Sequence, residues 1–195
     1  MLLAAGAPAL FTGAWLLLGA STPGYSQRRD TISAVAAQGA PYTGPMVAAF
    51  VVQGLGQLAG ARLAWSAPDQ RWVGRWLGVA GVGTVLAGVI QLPAAAGPGW
   101  RSSGHTLAAT AAFGGLHLAA LAGAGSRGLP PWLRASAAAA LVLALPHTAW
   151  FLVQLREGGP WAGYTEKAFT TVLLAWCAGL AWGRRGSALR AVVEP

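Results

Sequence analysis

Apolar residues dominate this chain in six long runs, which short turn-rich segments separate. A helix that crosses a bilayer needs about 20 mostly apolar residues. Segments of that kind lie at approximately 2–20, 46–65, 73–93, 105–124, 132–154 and 166–183. Between them come sequences such as "STPGYS" and "EGGPWAGY", whose Gly, Pro and Ser favour turns. The pattern predicts an all-α membrane protein, a single six-span domain over 1–195 with a basic tail at 184–195.

Composition supports a lipid environment. The 195 residues are 55% hydrophobic and only 9% charged, whereas a soluble domain carries about 25% charged residues. The net charge of +8 comes from scattered basic residues, which is typical of the loops of membrane proteins. We therefore expect no nucleic-acid partner. Cys177 is the single cysteine, so no intrachain disulfide can form, and we expect neither a metal site nor a cofactor.

The distribution of basic residues predicts the orientation. With both termini in the cytoplasm, eight basic residues face inward and five face outward, which satisfies the positive-inside rule. The outward five are Arg28, Arg29, Arg101, Arg156 and Lys167. Three of the five acidic residues, Asp30, Glu157 and Glu166, share that face. We interpret these mixed charges as a polar cluster at the outer end of a bundle in the bacterial inner membrane.

One stretch, "YSQRRDTISAVAAQGAP" at 25–41, predicts a short amphipathic helix in the first outer loop. Asp30 would cap its N-terminus, Gly39 would end it after Gln38, and Pro41 would prevent its continuation. One face would then be apolar and would pack against the bundle, through Ile32, Val35 and Ala36.

The last span opens with "GYTEKAF" at 163–169. Thr165 is expected to cap this helix, and Glu166 in its first turn suits the helix dipole. Lys167 suits it less well. An ion pair with Asp30 or Arg29 would account for both charged residues.

The stretches "PGYSQRRDTISAVAAQGAP" and "YTEKAF…LLAW", together with a histidine at the start of the fourth span, resemble the bacterial membrane family called domain of unknown function 998. The resemblance covers nearly the whole chain and implies a six-helix bundle. It also implies a remote similarity to eukaryotic proteins linked to lipid-anchor remodelling and autophagy modulation. The family usually has Arg after the acid or amide near the final span, whereas this chain has Lys167, which cannot form a bidentate pair. The family's activity is unassigned.

The first functional hypothesis is a protein that binds a lipid or another small amphiphile at the outer end of the bundle, with a role in transport or sensing. Cationic side chains there could contact an anionic head group while the bundle holds the acyl part. The expected partners are membrane lipid and a lipid-like or small-molecule ligand, and the oligomeric state is open. The predicted ligand-binding residues are Tyr25, Arg28, Arg29, Asp30, Ser33, His105, Glu166 and Lys167.

The alternative is an integral-membrane enzyme acting on a lipid or isoprenoid. Asp30, Glu157 or Glu166 would be the acid or base, with His105 or His117 as its partner in one cavity. A third hypothesis is a haem-binding electron-transfer protein with histidines on two neighbouring helices as ligands. His117 and His147 differ in predicted depth by about 8 Å at the helical rise per residue, which argues against a haem held by this pair. The chain contains no short hydrolase, phosphate-binding or metalloprotease motif.

Overall fold

A computed structural model describes residues 1–94 and 97–193. Within these residues the structure consists of helices, turns and loops without any strand, which confirms the all-α prediction. The helices are α1 Leu2–Ser21, α2 Ile32–Val35, α3 Thr43–Trp65, α4 Arg71–Val89, α5 Trp100–Gly125, α6 Pro131–Glu157 and α7 Ala162–Val193. A 3-10 turn, Pro68–Gln70, leads into α4.

Five stretches of the described chain are long and apolar enough to cross a membrane. They are Leu2–Ser21, Thr43–Trp65, Pro68–Val89, Trp100–Gly125 and Pro131–Glu157. The sixth predicted span, 166–183, lies within α7, which is not among these five, so the six-span count stays a prediction. The predicted basic tail begins inside α7, and its residues 194–195 lie outside the described residues.

The six long helices form a closed ring in chain order. Each of α1, α3, α4, α5 and α6 packs against the next long helix, and α7 packs back against α1. We call the end of the ring that carries the segment 22–42 the loop end. The helices α5 and α6 pack more loosely against each other than α4 and α5 do.

Close packing of α4 and α5 depends on glycine. A Cβ atom on Gly83 would lie 2.5 Å from the backbone nitrogen of Ala112, and one on Gly115 would lie 2.7 Å from that of Ala80. Small residues allow such close approach of helix backbones in lipid, where burial of apolar surface contributes little. The resulting contact is tight along this side of the ring.

The short helix in the first loop differs from its prediction. It spans one turn, Ile32–Val35, rather than reaching Gln38, and its N-cap residue is Thr31. The expected cap by Asp30 is wrong, because the Asp30 carboxylate accepts hydrogen bonds from elsewhere. The helix ends early because the backbone turns after Ala36, and Gln38 donates its backbone N–H to the carbonyl of Leu92 at 2.9 Å. The apolar face is buried as expected, with Ile32, Val35 and Ala36 each at most 2% exposed.

Candidate functional site

Lys167 attaches the first loop to α7. Its side chain is buried, and its ammonium nitrogen lies 3.0 Å from the carbonyl oxygen of Gln27, 2.6 Å from that of Asp30 and 3.3 Å from that of Gly163. A lysine ammonium has three N–H donors, so these carbonyls can take all of them. Lys167 therefore stabilises the backbone of residues 27–30 against the start of α7.

Tyr25 packs against the buried ammonium of Lys167. Its ring centroid is 5.2 Å from the ammonium of Lys167, within range of a cation–π interaction. Its hydroxyl lies 3.2 Å from the carbonyl oxygen of Asp30 and 3.1 Å from that of Thr31. Burial, and then the charges of Glu166 and Asp30, raise the pKa of Tyr25 above its ordinary value. Tyr25 thus acts as a neutral hydrogen-bond donor that holds the loop.

Asp30 and Arg29 form an ion pair at the surface of the loop. Arg29 Nε lies 2.9 Å from Asp30 Oδ1, and the backbone N–H of Ser26 donates to Oδ2 at 2.7 Å. Burial raises the pKa of Asp30, but these hydrogen bonds and the charges of Arg29 and Lys167 outweigh it, so the pKa lies below its usual value. Asp30 is therefore a carboxylate at neutral pH, committed to its own loop.

The ion pair proposed between Lys167 and Asp30 does not form in the described structure. The ammonium contacts the carbonyl of Asp30, and the carboxylate turns to Arg29. Arg28 lies over the ring of Trp161, at 5.0 Å, on the exposed side. Glu157 is exposed at the end of α6. The predicted charge cluster is thus divided among separate contacts.

Glu166 lies under the short helix α2. It is 3% exposed, and its Oε2 accepts the backbone N–H of Ile32 at 2.6 Å. The expected capping role of Thr165 is wrong, because α7 already begins at Ala162. The hydroxyl of Thr165 instead donates back to carbonyls of the same turn, those of Trp161 and Ala162, at 3.0 Å each.

Ser33 and His105 form a buried hydrogen-bonded pair. His105 Nδ1 lies 2.8 Å from the carbonyl oxygen of Ile90, and its Nε2 lies 2.9 Å from Ser33 Oγ. A carbonyl can only accept, so Nδ1 carries the hydrogen of the neutral ring. Nε2 is then an acceptor, and the Ser33 hydroxyl donates to it. The loop, the end of α4 and the start of α5 meet at this pair.

A groove of about 500 Å³ runs between α5 and α6, and we call it the lateral groove. Ser33, His105 and Glu166 line its loop end, and His117 and Thr148 line it deeper in the bundle. Its other walls are mainly apolar, including Phe113, Phe151 and Phe169. Leu145, Leu152 and Leu155, which also line it, are exposed, so the groove opens on the outer surface of the ring.

The histidines deeper in the bundle, His117 and His147, form hydrogen bonds with nearby protein groups. His117 Nδ1 lies 2.8 Å from the carbonyl oxygen of Phe113, and its Nε2 lies 3.0 Å from Thr148 Oγ1. His147 Nδ1 lies 2.9 Å from the carbonyl oxygen of Leu143. With both nitrogens of His117 in hydrogen bonds, the arrangement does not fit a haem held by His117 and His147. Among the residues that the structure describes, no three His, Cys, Asp or Glu side chains are grouped to hold a metal ion.

The structure brings together only part of the predicted site. Ser33, His105, His117 and Glu166 share the lateral groove, whereas Tyr25, Arg28, Arg29, Asp30, Glu157 and Lys167 are not among its described lining residues. Sequence reasoning missed Thr148. Nothing in the sequence near Thr148 indicates a partner on α5, because it meets His117 only through the packing of α6 on α5.

A bundle of long apolar helices with a groove in its side places this protein in the class of multi-pass helical membrane proteins. The chain belongs to the family described as protein of unknown function DUF998, which matches residues 4–183 and confirms the resemblance seen in the sequence. No curated protein and no solved structure matches the chain significantly. The family leaves the activity open, and the site itself is the guide to it.

Proposed function

We propose that this protein binds a lipid or another small amphiphile in the lateral groove. The supporting observation is a groove that combines apolar walls with polar groups at one end. A space of similar volume, about 530 Å³, lies between α4 and α5, but its described lining is entirely apolar. The volume of the lateral groove, about 500 Å³, falls within the range of roughly 300–1,000 Å³ that is usual for small-molecule sites. Apolar walls with a few convergent polar groups are also usual in such sites. Here those groups are Ser33, His105 and Glu166 at the loop end.

The same proposal includes a bundle that crosses the bacterial inner membrane six times with both termini in the cytoplasm. α7 is a long helix of the closed ring, packed between α6 and α1 as the other long helices are packed between their neighbours. The count of basic residues supports the cytoplasmic termini. In that orientation the loop end faces outward, and the mouth of the groove faces the acyl chains of the bilayer.

The basic residues of the first loop and of α7 are not expected to contact the ligand's head group. Lys167 is held by three carbonyl oxygens, Arg29 by the Asp30 carboxylate, and Arg28 by the ring of Trp161. These contacts support assigning the cations to loop structure. Ser33, His105 and Glu166 remain as polar groups for a ligand at the loop end, and the hydroxyl-bearing Thr31, Thr106 and Thr110 also line the groove.

Filling the groove tests this proposal. Gly114 lines the groove, and a Cβ atom there would meet nothing within 4 Å. We expect Gly114→Leu to fold normally and to lose most of the amphiphile that co-purifies with the wild type in mild detergent, because the new side chain occupies the ligand's space. Mass spectrometry of the extracted lipids measures this loss.

Gly13→Leu is the matched control. Gly13 lies on α1, away from the groove, and its Cβ would likewise meet nothing within 4 Å. The control should keep the wild-type lipid content. Equal lipid profiles in the wild type and both variants would contradict binding in the groove.

A second candidate function is an enzyme that cleaves a lipid ester. The Ser33–His105 hydrogen bond favours it, since a nucleophile, a base and a group that orients the base follow one another here. Ser33 Oγ would attack the acyl carbonyl as its proton passes to His105 Nε2. That proton would then leave with the alcohol, and water would release the acyl group from Ser33. Glu166 and His105 share the groove, but Asp30 and Glu157 lie outside its described lining, so they are not part of this candidate.

A fluorophosphonate probe distinguishes this candidate from simple binding. If Ser33 is a nucleophile, the wild type should carry the probe on Ser33, as located by peptide mass spectrometry, and His105→Gln should lose at least ten-fold of the labelling. Ser103→Ala, a change at an exposed position on α5, should label like the wild type. An unlabelled Ser33 in lipid-binding wild-type protein would exclude the enzyme.

A further inference from the structure

The Ser33–His105 pair at the loop end of the groove already uses its hydrogen atoms within the protein. His105 donates through Nδ1 to the Ile90 carbonyl, and Ser33 donates its hydroxyl hydrogen to His105 Nε2. Each of these groups has one hydrogen in the neutral state. What Ser33 offers to a ligand is therefore a pair of oxygen lone pairs.

The deeper part of the groove shows the same arrangement. His117 donates through Nδ1 to the Phe113 carbonyl. The single hydroxyl hydrogen of Thr148 has two acceptors within 3.0 Å, His117 Nε2 and the Ala144 carbonyl. Whichever of them it serves, Thr148 has no hydrogen left for a ligand and can only accept.

The charged residues near the groove also disfavour an anionic head group. Among the described residues that line the groove, Glu166 is the one acidic or basic side chain apart from the two histidines, and it is an acceptor for the Ile32 N–H. Two cations of the loop region have partners elsewhere, since Lys167 contacts three carbonyl oxygens and Arg29 contacts the Asp30 carboxylate. Thr31, Thr106 and Thr110 bring further hydroxyl groups to the groove, but none of its described lining residues is a lysine or an arginine. A buried anionic head group would therefore lie beside the Glu166 carboxylate without a basic counter-ion, and such unpaired burial is costly.

We infer that the ligand's head group is a hydrogen-bond donor without negative charge, a hydroxyl or an amine, and that the ligand class is a long-chain alcohol or amine rather than a long-chain carboxylate. This inference rests on the proposed binding in the lateral groove. Ser33 Oγ and the Glu166 carboxylate accept from the head group, while the chain lies along the phenylalanine-lined wall toward His117 and Thr148. An amine bound as an ammonium gains more binding free energy than an alcohol, because its hydrogen bond to the Glu166 carboxylate joins two charged groups and is the stronger kind.

Three amphiphiles with one chain and different head groups test the inference: dodecylamine, dodecanol and dodecanoate. Affinities are measured by native mass spectrometry on the full chain released from nanodiscs, with Gly114→Leu in parallel to subtract binding outside the groove. We expect the amine to bind best, then the alcohol, with the carboxylate at least about ten-fold weaker than the amine, since a charged hydrogen bond contributes about 1.5–3 kcal/mol.

Glu166→Gln should reduce the affinity for the amine to that for the alcohol, and Glu157→Gln, at an exposed position on α6, should change neither. Should Glu166→Gln not fold, the order measured on the wild type decides alone. Tightest binding of the carboxylate would overturn the head-group assignment and leave groove binding intact. If none of the three bound the wild type more than Gly114→Leu, groove binding itself would be overturned.

Discussion

Lys167→Met is expected to lower the melting temperature of the detergent-solubilised protein by roughly 5–15 °C. Methionine keeps the length of the side chain and removes the three N–H donors that hold the carbonyls of Gln27, Asp30 and Gly163. A buried acceptor left without a donor costs about 1–3 kcal/mol, and the loop can recover part of this by turning carbonyls to water. A net loss of about 2–4 kcal/mol corresponds to that shift at roughly 2–4 °C per kcal/mol for a chain of this size.

The control for this change is Arg29→Met. Arg29 is also a cation of the loop, but its side chain is 59% exposed. Its partners, the Asp30 carboxylate and the Gly24 carbonyl, lie on the exposed side of the loop. Exposed ion pairs contribute little to stability because solvent screens them. The control should therefore melt close to the wild type. If the two variants melted at the same temperature, the hydrogen bonds from Lys167 to the three carbonyls would not be what stabilises the loop.

Lys167 also shows where sequence reasoning reached its limit. Its position beside an acid at the start of a span indicated a partner in the first loop, and the partner segment is the expected one. The sequence did not predict that Lys167 would contact backbone carbonyls rather than a carboxylate. Three carbonyls converge on the ammonium because residues 27–30 turn there, and residue types alone do not determine the direction of the backbone in a turn. An ammonium suits this arrangement, since it donates in three directions, whereas a planar guanidinium favours a bidentate carboxylate.

The helices were the most predictable part of the fold. Apolar runs of about 20 residues indicate their existence and type, and all six predicted runs lie in or largely within long helices of the structure. Their limits were less predictable, as α2 and α7 show. The span prediction placed the start of the last helix at 166, but α7 begins at Ala162, because its first turn pairs with the loop backbone rather than with lipid.

The lateral groove could not be predicted at all. Ser33 and His105 are 72 positions apart, and His117 and Thr148 are 31 apart. Each pair meets only because of how neighbouring helices or the loop are packed. Glycines bring α4 and α5 close together at Gly83 and Gly115, whereas α5 and α6 pack more loosely beside the groove. Ser33, His105 and Glu166 were predicted as members of one polar site, and they do share the groove. The groove itself and the contact of His117 with Thr148 were not predictable.

Gly163→Val is expected to destabilise the same loop from the side of α7. The first turn of this helix lies directly on the loop backbone: the N–H of Gly163 donates to the Arg29 carbonyl at 3.2 Å, and that of Tyr164 donates to the Arg28 carbonyl at 2.8 Å. A Cβ atom on Gly163 would overlap the carbonyl oxygen of Asp30 and lie 2.8 Å from its carbonyl carbon and its nitrogen. Backbone cannot move aside as a flexible side chain can, so we expect a loss of about 1–3 kcal/mol or more. The melting temperature should fall, and limited proteolysis should cut the segment 22–42 faster.

Gly179→Val in the same helix separates this contact from any general effect of valine in α7. A Cβ atom on Gly179 would meet nothing within 4 Å, and valine has a slightly better helix propensity than glycine. This control should melt at or slightly above the wild-type temperature and keep its resistance to protease. Because Ile32 and Glu166 meet through the same docked loop, Gly163→Val should also weaken amine binding in the groove, whereas Gly179→Val should not. A Gly163→Val protein as stable as Gly179→Val would mean that the loop does not pack on α7 as described.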